Sequence, residues 1–109
     1  MPLAEHTSLH LADLFSALSD PTRVRIIGLL LDCEQSVGEI AEQLGMSESA
    51  VSHQLRGLRL QRIVRARKQG RQVFYCLDDE HMAELFRLGL KHMEHEWSCI
   101  TIHILTSMI

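Results

Sequence analysis

Gly45-Met46-Ser47 separates two short stretches of helical periodicity so tightly that only a turn between two packed helices fits there. Glycine tolerates the positive φ that closes one helix, and Ser47 can cap the next. Before the break, Ser36-Val37-Gly38-Glu39 reads as a capping box that opens a helix running through Ile40, Ala41 and Leu44. After it, from about Glu48 to Leu60, the residues sort into two faces. Val51, Leu55 and Leu58 recur at helical spacing and should point inward, while Ser49, Ser52, His53 and Arg56 should point out. Two short helices joined by a glycine-containing turn, the second with a polar outer stripe, describe a helix-turn-helix. A helix of that size fits the DNA major groove, where hydroxyl, imidazole and guanidinium groups meet base edges.

Ile63 to Lys68 and Arg71 to Leu77 then read as two strands, with Gln69-Gly70 as the hairpin turn. A basic hairpin directly after a recognition helix is a wing. Its tip, Arg67, Lys68 and Arg71, is expected to reach a phosphate backbone or an adjacent minor groove. The net charge of −3 has the wrong sign for a nucleic-acid partner, but its distribution does not. From Ser49 to Leu77 there are seven basic residues and no acid, against four basic residues and fourteen acids elsewhere. One face is therefore strongly positive on an acidic body, and duplex binding should weaken steeply with salt.

The remaining segments complete a mainly α, single-domain chain of 109 residues with a small β-hairpin wing. Leu9, Leu11, Leu14, Phe15 and Leu18 form an apolar helical stripe ending before Asp20. Asp20-Pro21 starts a second helix, with Val24, Ile27, Leu30 and Leu31 as its buried face. The helix-turn-helix occupies about 36–60 and the wing about 63–77. A long last helix at about 79–97, capped by Asp78-Asp79, precedes an apolar tail at 98–109. So thin a core favours a homodimer, formed through the N- and C-terminal helices.

The last helix carries four potential metal ligands. Asp79 and His81 stand at its start, and His92 and His95 near its end. A carboxylate and three imidazoles suit Zn(II) and its borderline neighbours. His81, Leu85, Leu88, His92 and His95 fall within about an 80° arc of one face. His81 and His92 are nevertheless about 16 Å apart along the axis, too far for one ion. Antiparallel pairing with a second copy would bring Asp79 and His81 of one subunit to His92 and His95 of the other, with a symmetric second site. Leu85 and Leu88 would line the seam.

Met46-Ser47-Glu48-Ser49-Ala50-Val51-Ser52-His53-Gln54-Leu55-Arg56, with Lys68-Gln69-Gly70-Arg71 and Phe74-Tyr75, resembles the ArsR/SmtB family of metal-responsive repressors, as does Asp20-Pro21-Thr22-Arg23. The similarity covers about Leu11 to His95. It implies a winged helix-turn-helix homodimer on an imperfect inverted repeat of operator DNA, released when an inducer binds. It also implies that Asp79, His81, His92 and His95 form an interhelical zinc site. By the same carry-over, metal-bound His92 would hydrogen-bond the carbonyl of Arg62 at the end of the recognition helix.

The family's thiolate-rich motif at the third helix is not matched: Ser36 stands where its cysteine would be, although Glu39 could still ligate. Cys33 lies three residues early and reads as a small packed residue, with a site shared among Cys33, His6 and His10 as the alternative. Cys76 reads as packed. Cys99 and His103 follow His95 at i+4 and i+8, so a longer helix could offer all three, or add His103 to the interhelical site for Ni(II) or Co(II). Cd(II) is a further candidate. A sulfur charge-transfer band with Co(II) would demand Cys99 or Cys33.

Other classes fit less well. An enzyme is not expected: a four-ligand protein site leaves no open position for water, and there is no H-E-x-x-H motif or phosphate-binding glycine loop. A thiol-redox regulator using Cys33 or Cys99 has no neighbouring cysteine partner, and an inducer-independent regulator leaves the histidine stripe unexplained. Three cysteines without framework spacing point to a reducing cytoplasm. The N-terminus shows no leader pattern, and no apolar run approaches a membrane span.

Overall fold

A computed structural model describes the backbone of residues 1–108 and the side chains of residues 1–94. The chain runs α1 (Glu5–Ala17), α2 (Pro21–Leu30), β1 (Gln35–Ser36), α3 (Val37–Leu44), α4 (Glu48–Leu60), β2 (Val64–Gln69), β3 (Gln72–Leu77) and α5 (Glu80–Met108). It divides into two units, Met1–Asp79 and Glu80–Ile109.

In the first unit, three helix starts are capped as the sequence predicts. The Asp20 carboxylate accepts from the Arg23 N–H at 3.0 Å, with Pro21 in the first turn. The Ser36 hydroxyl accepts from the Glu39 N–H at 3.2 Å, and Glu39 accepts in return from the Ser36 N–H at 3.3 Å. The Ser47 hydroxyl accepts from the Ala50 N–H at 3.1 Å.

Two helices end alike on different residues. Gly45 (φ 65°) closes α3, and the Met46 N–H reaches the Ala41 carbonyl at 3.0 Å. Arg62 (φ 57°) closes α4, and the Ile63 N–H reaches the Leu58 carbonyl at 2.9 Å. A left-handed conformation costs a residue with a Cβ roughly 1–2 kcal/mol. The accompanying burial of Leu58 and Ile63 offsets that cost.

The core gathers Ile26, Ile27 and Leu30 of α2, Ile40 of α3, and Val51, Leu55 and Leu58 of α4, with Ile63 and Val64 leading into the wing. On α2 and at its C-cap the sequence reading is corrected at three positions. Val24 and Leu31 are only half-buried, and Ile26 is fully buried instead. On α1, Leu9, Leu11 and Phe15 of the apolar stripe stay exposed, at 60%, 42% and 52%.

The sheet is antiparallel in the order β1-β3-β2. The wing pairs Val64 with Leu77 at its base and Gln69 with Gln72 at its tip, so the loop is Gly70-Arg71, one residue later than expected. Gly70 (φ 62°) supplies the positive φ at the first loop position that a II′ hairpin turn requires. β1 is an unanticipated strand. It pairs Gln35 with Tyr75 and Ser36 with Phe74. Buried Gln35 anchors it by donating to the Leu29 carbonyl at 3.0 Å and accepting from Gln43.

The second unit is α5. The backbone helix continues to Met108 rather than stopping near Trp97, so the apolar tail belongs to the helix.

Candidate nucleic-acid interface and candidate metal-ligating helix

The exposed polar stripe of α4 is a consequence of the helix's burial pattern. With Val51, Leu55 and Leu58 fully buried, the helical period places Ser49, Ser52, His53 and Arg56 on the opposite, exposed face. Their starting point is fixed by the Ser47 cap and their end by the Arg62 closure. The wing comes beside them: Ser52 of α4 and Arg71 of the wing tip line one cleft of about 410 Å³, together with Glu48 and the first residues of α3. Helix and wing thus form one continuous surface.

The three wing-tip cations differ in their surroundings. Arg71 lies in the hairpin loop and Lys68 at an exposed β2 position. Arg67 is engaged within the protein. Its guanidinium donates to Glu34 through Nε at 3.2 Å and through Nη2, and to Gln69 through Nη1 at 2.9 Å. It also stands over the Phe74 ring, 5.2 Å from its centroid. The Arg67 hydrogen bond holds the Glu34 carboxyl below its ordinary range, and the Arg67 guanidinium is correspondingly harder to deprotonate. The acid-free run therefore acquires an acid from 33 residues upstream.

Arg65 donates through Nε to the Cys76 thiol across the strands at 3.2 Å, so Cys76 is a half-buried strand residue with a polar partner. Cys33 is exposed in the turn before β1, which corrects its reading as a packed residue. Arg62 is exposed, and it lines a cleft with His10 and Asp13 of α1 and with Leu60 and Gln61.

On α5, Asp79 directly precedes the first turn, His81 is exposed within it, and His92 is exposed three turns later. Leu88 between them is 65% exposed. The helix is continuous from His81 to His92, which keeps the two imidazoles about 16 Å apart along one axis. Among the described residues of one chain, no three His, Cys, Asp or Glu side chains gather at a point. Asp79, His81 and His92 are donor types that suit a borderline divalent ion, but among the described residues they do not converge within one chain. His95, Cys99 and His103 have side chains outside the described residues. No helix among the described residues is long and apolar enough to cross a membrane.

Residues 20–66 match the family model for bacterial regulatory proteins of the arsR family. The chain is 46% identical over 84 residues to the transcriptional repressor SmtB homolog of Synechocystis sp., covering 77% of this chain and 64% of that protein, just under two thirds of its length. It is 40% identical over 91 residues to the cadmium resistance transcriptional regulatory protein CadC homolog of Staphylococcus aureus, covering 83% of this chain and 75% of that protein. Its fold matches the homodimeric winged helix-turn-helix DNA-binding domain Mb0332 of Mycobacterium bovis with a TM-score of 0.76 and 27% identity, over 86% of this chain and 92% of that one.

Proposed function

Since this chain belongs to the arsR family of bacterial regulatory proteins, we propose that it is a homodimeric transcriptional repressor whose hold on operator DNA is released by a divalent metal ion. The reading rests above all on the exposed stripe of α4 beside the wing tip. Ser49, Ser52, His53 and Arg56 would read base edges, while Lys68 and Arg71 would hold phosphates. The exposed apolar residues of α1 and the exposed Leu88 of α5 would be covered by the partner subunit.

Asp79 and His81 of one subunit, with His92 and His95 of the other, would hold the metal, Zn(II) first, with Co(II), Ni(II) and Cd(II) as competitors. When bound, the ion supplies a cross-link between subunits. His92 would pass that constraint to the Arg62 carbonyl. The two subunits' recognition helices would then no longer fit successive major grooves. Coupling is reciprocal, so operator DNA must weaken metal binding by the same factor. A relative named as a transcriptional repressor supports the repressor reading, and one named as a cadmium resistance regulator supports a divalent metal as inducer.

The experiment is binding to a duplex selected by the wild-type protein from a random-sequence pool, with and without Zn(II), Co(II), Ni(II) and Cd(II). Zinc should lower wild-type affinity by roughly 5- to 150-fold, and His81→Ala should abolish that response. Failure to select any sequence would refute DNA recognition. A His81→Ala or His92→Gln protein that still lets go in zinc would refute the site or the relay. The exposed thiol of Cys33 favours a second reading, a thiol-redox regulator; release by peroxide and not by zinc would establish it instead.

A further inference from the structure

Arg23 reaches from α2 to the recognition helix at a point no base-reading or phosphate-binding role requires. Its own position is fixed, because its N–H is tied to the Asp20 carboxylate and Pro21 precedes it in the first turn. From there its Nε donates to the Gln54 side chain of α4 at 3.0 Å. A Cβ at Gly57, one turn on, would stand 2.9 Å from the Arg23 Nη2 and 3.6 Å from Cζ. The guanidinium therefore occupies the space that any side chain at 57 would fill. At about 100° per residue, Gln54 and Gly57 lie on the flank between the buried row of α4 and its exposed stripe, on the His53 side. The other flank carries Glu48 and Ser52, which line the cleft beside α3 and the wing tip.

We infer that Arg23, lying over Gly57 and bonded to Gln54, is a positioning residue that sets the rotation of the recognition helix about its axis, and with it the base-reading stripe. This rests on the reading of α4 as the DNA-contacting helix. The core alone resists withdrawal of α4 more firmly than a small roll, since buried aliphatic packing is non-directional. A directional hydrogen bond on one flank, opposed by α3 and the wing on the other, fixes the roll. Gly57, a poor helix former, leaves room for the guanidinium, which Ala would displace. That displacement moves only the end of a flexible side chain, so the fold survives it.

The test uses full-length protein and two duplexes, the one selected by the wild type and a scrambled duplex of equal composition. Arg23→Ala, Arg23→Lys and Gly57→Ala should each lower affinity for the selected duplex by roughly 3- to 10-fold, leave scrambled-duplex affinity within about 2-fold, and leave the salt slope unchanged. The double variant Arg23→Ala/Gly57→Ala should lose no more than either single change. In the Arg23→Ala background, Gly57→Ala should raise the melting temperature, because the helix propensity of Ala then acts without a displaced partner. Wild-type discrimination in all single variants, or losses that multiply in the double variant, would overturn the inference. A salt slope reduced by about one would make Arg23 a phosphate contact instead. If the wild type itself selects no sequence, the DNA-binding reading fails, an outcome distinct from these.

Discussion

Helix α4 turns Val51, Leu55 and Leu58 wholly into the core, whereas along both wing strands only Val64 is buried. The helix has a side-chain cap at its start, a hydrogen-bonded closure at its end and an arginine on one flank. The wing has a backbone ladder, a two-residue loop and an exposed Arg67–Glu34 pair. Base reading, as proposed, would need hydrogen-bonding groups held in register, which suits the helix that the core, its caps and Arg23 hold together. Phosphate contact needs charge within reach, which a weakly anchored hairpin supplies.

The largest effect that would break this contrast concerns stability. Leu55→Ala should cost about 2–5 kcal/mol in denaturant unfolding, while Lys68→Ala should be near neutral, about 0.5 kcal/mol at most. Equal costs would mean that the wing is as integral to the core as the helix. Next comes the division of labour on DNA. Arg56→Ala should cost about 1–3 kcal/mol on the selected duplex and relax base preference. Arg71→Ala should weaken selected and scrambled duplexes alike and lower the salt slope by about one. Titrations at several salt concentrations separate the two, and exchanged phenotypes would reverse the assignment.

The smallest effect sharpens the account of the wing. Because the folded Glu34 carboxyl lies below its ordinary range, the pair's contribution is present above the usual carboxylate pKa and is lost as pH falls through the depressed value. Glu34→Gln should therefore abolish the acid-side loss of protection in hydrogen exchange of the β2 and β3 amides. By freeing Arg67 it should strengthen duplex binding by roughly 2- to 5-fold at low salt. Weakened binding would show that Glu34 orients Arg67 for DNA rather than competing with it.

The parts of this molecule that were legible in the sequence are those with local causes. Capping at Asp20, Ser36 and Ser47, the glycine at 45 and the two-faced period of α4 each involve residues within a turn or two of one another. Contacts between distant residues were not legible. Nothing near Arg67 announces Glu34, and Arg23 reads as part of a helix start until Gln54 and Gly57 are brought beside it. β1 is two residues long, too short for any alternation. Arg62 lacks the glycine that would have marked a left-handed closure. Ile26 rather than Val24 fills the α2 core because Ile26 and Leu30 lie on one flank of Ile27 and Val24 and Leu31 on the other, and only distant neighbours choose between the flanks. On α5 the ligand types and their face were readable. The mate that would complete them lies by its nature beyond a single chain.

Ile63 joins three segments through its own peptide groups: its N–H holds the Leu58 carbonyl at 2.9 Å, and its carbonyl receives the Asp78 N–H at 2.9 Å. The tail of α4 and both legs of the hairpin are thereby riveted at one place. The base of the hairpin thus keeps its place against the end of α4, so that any adjustment to a duplex would fall to the wing tip rather than to its root.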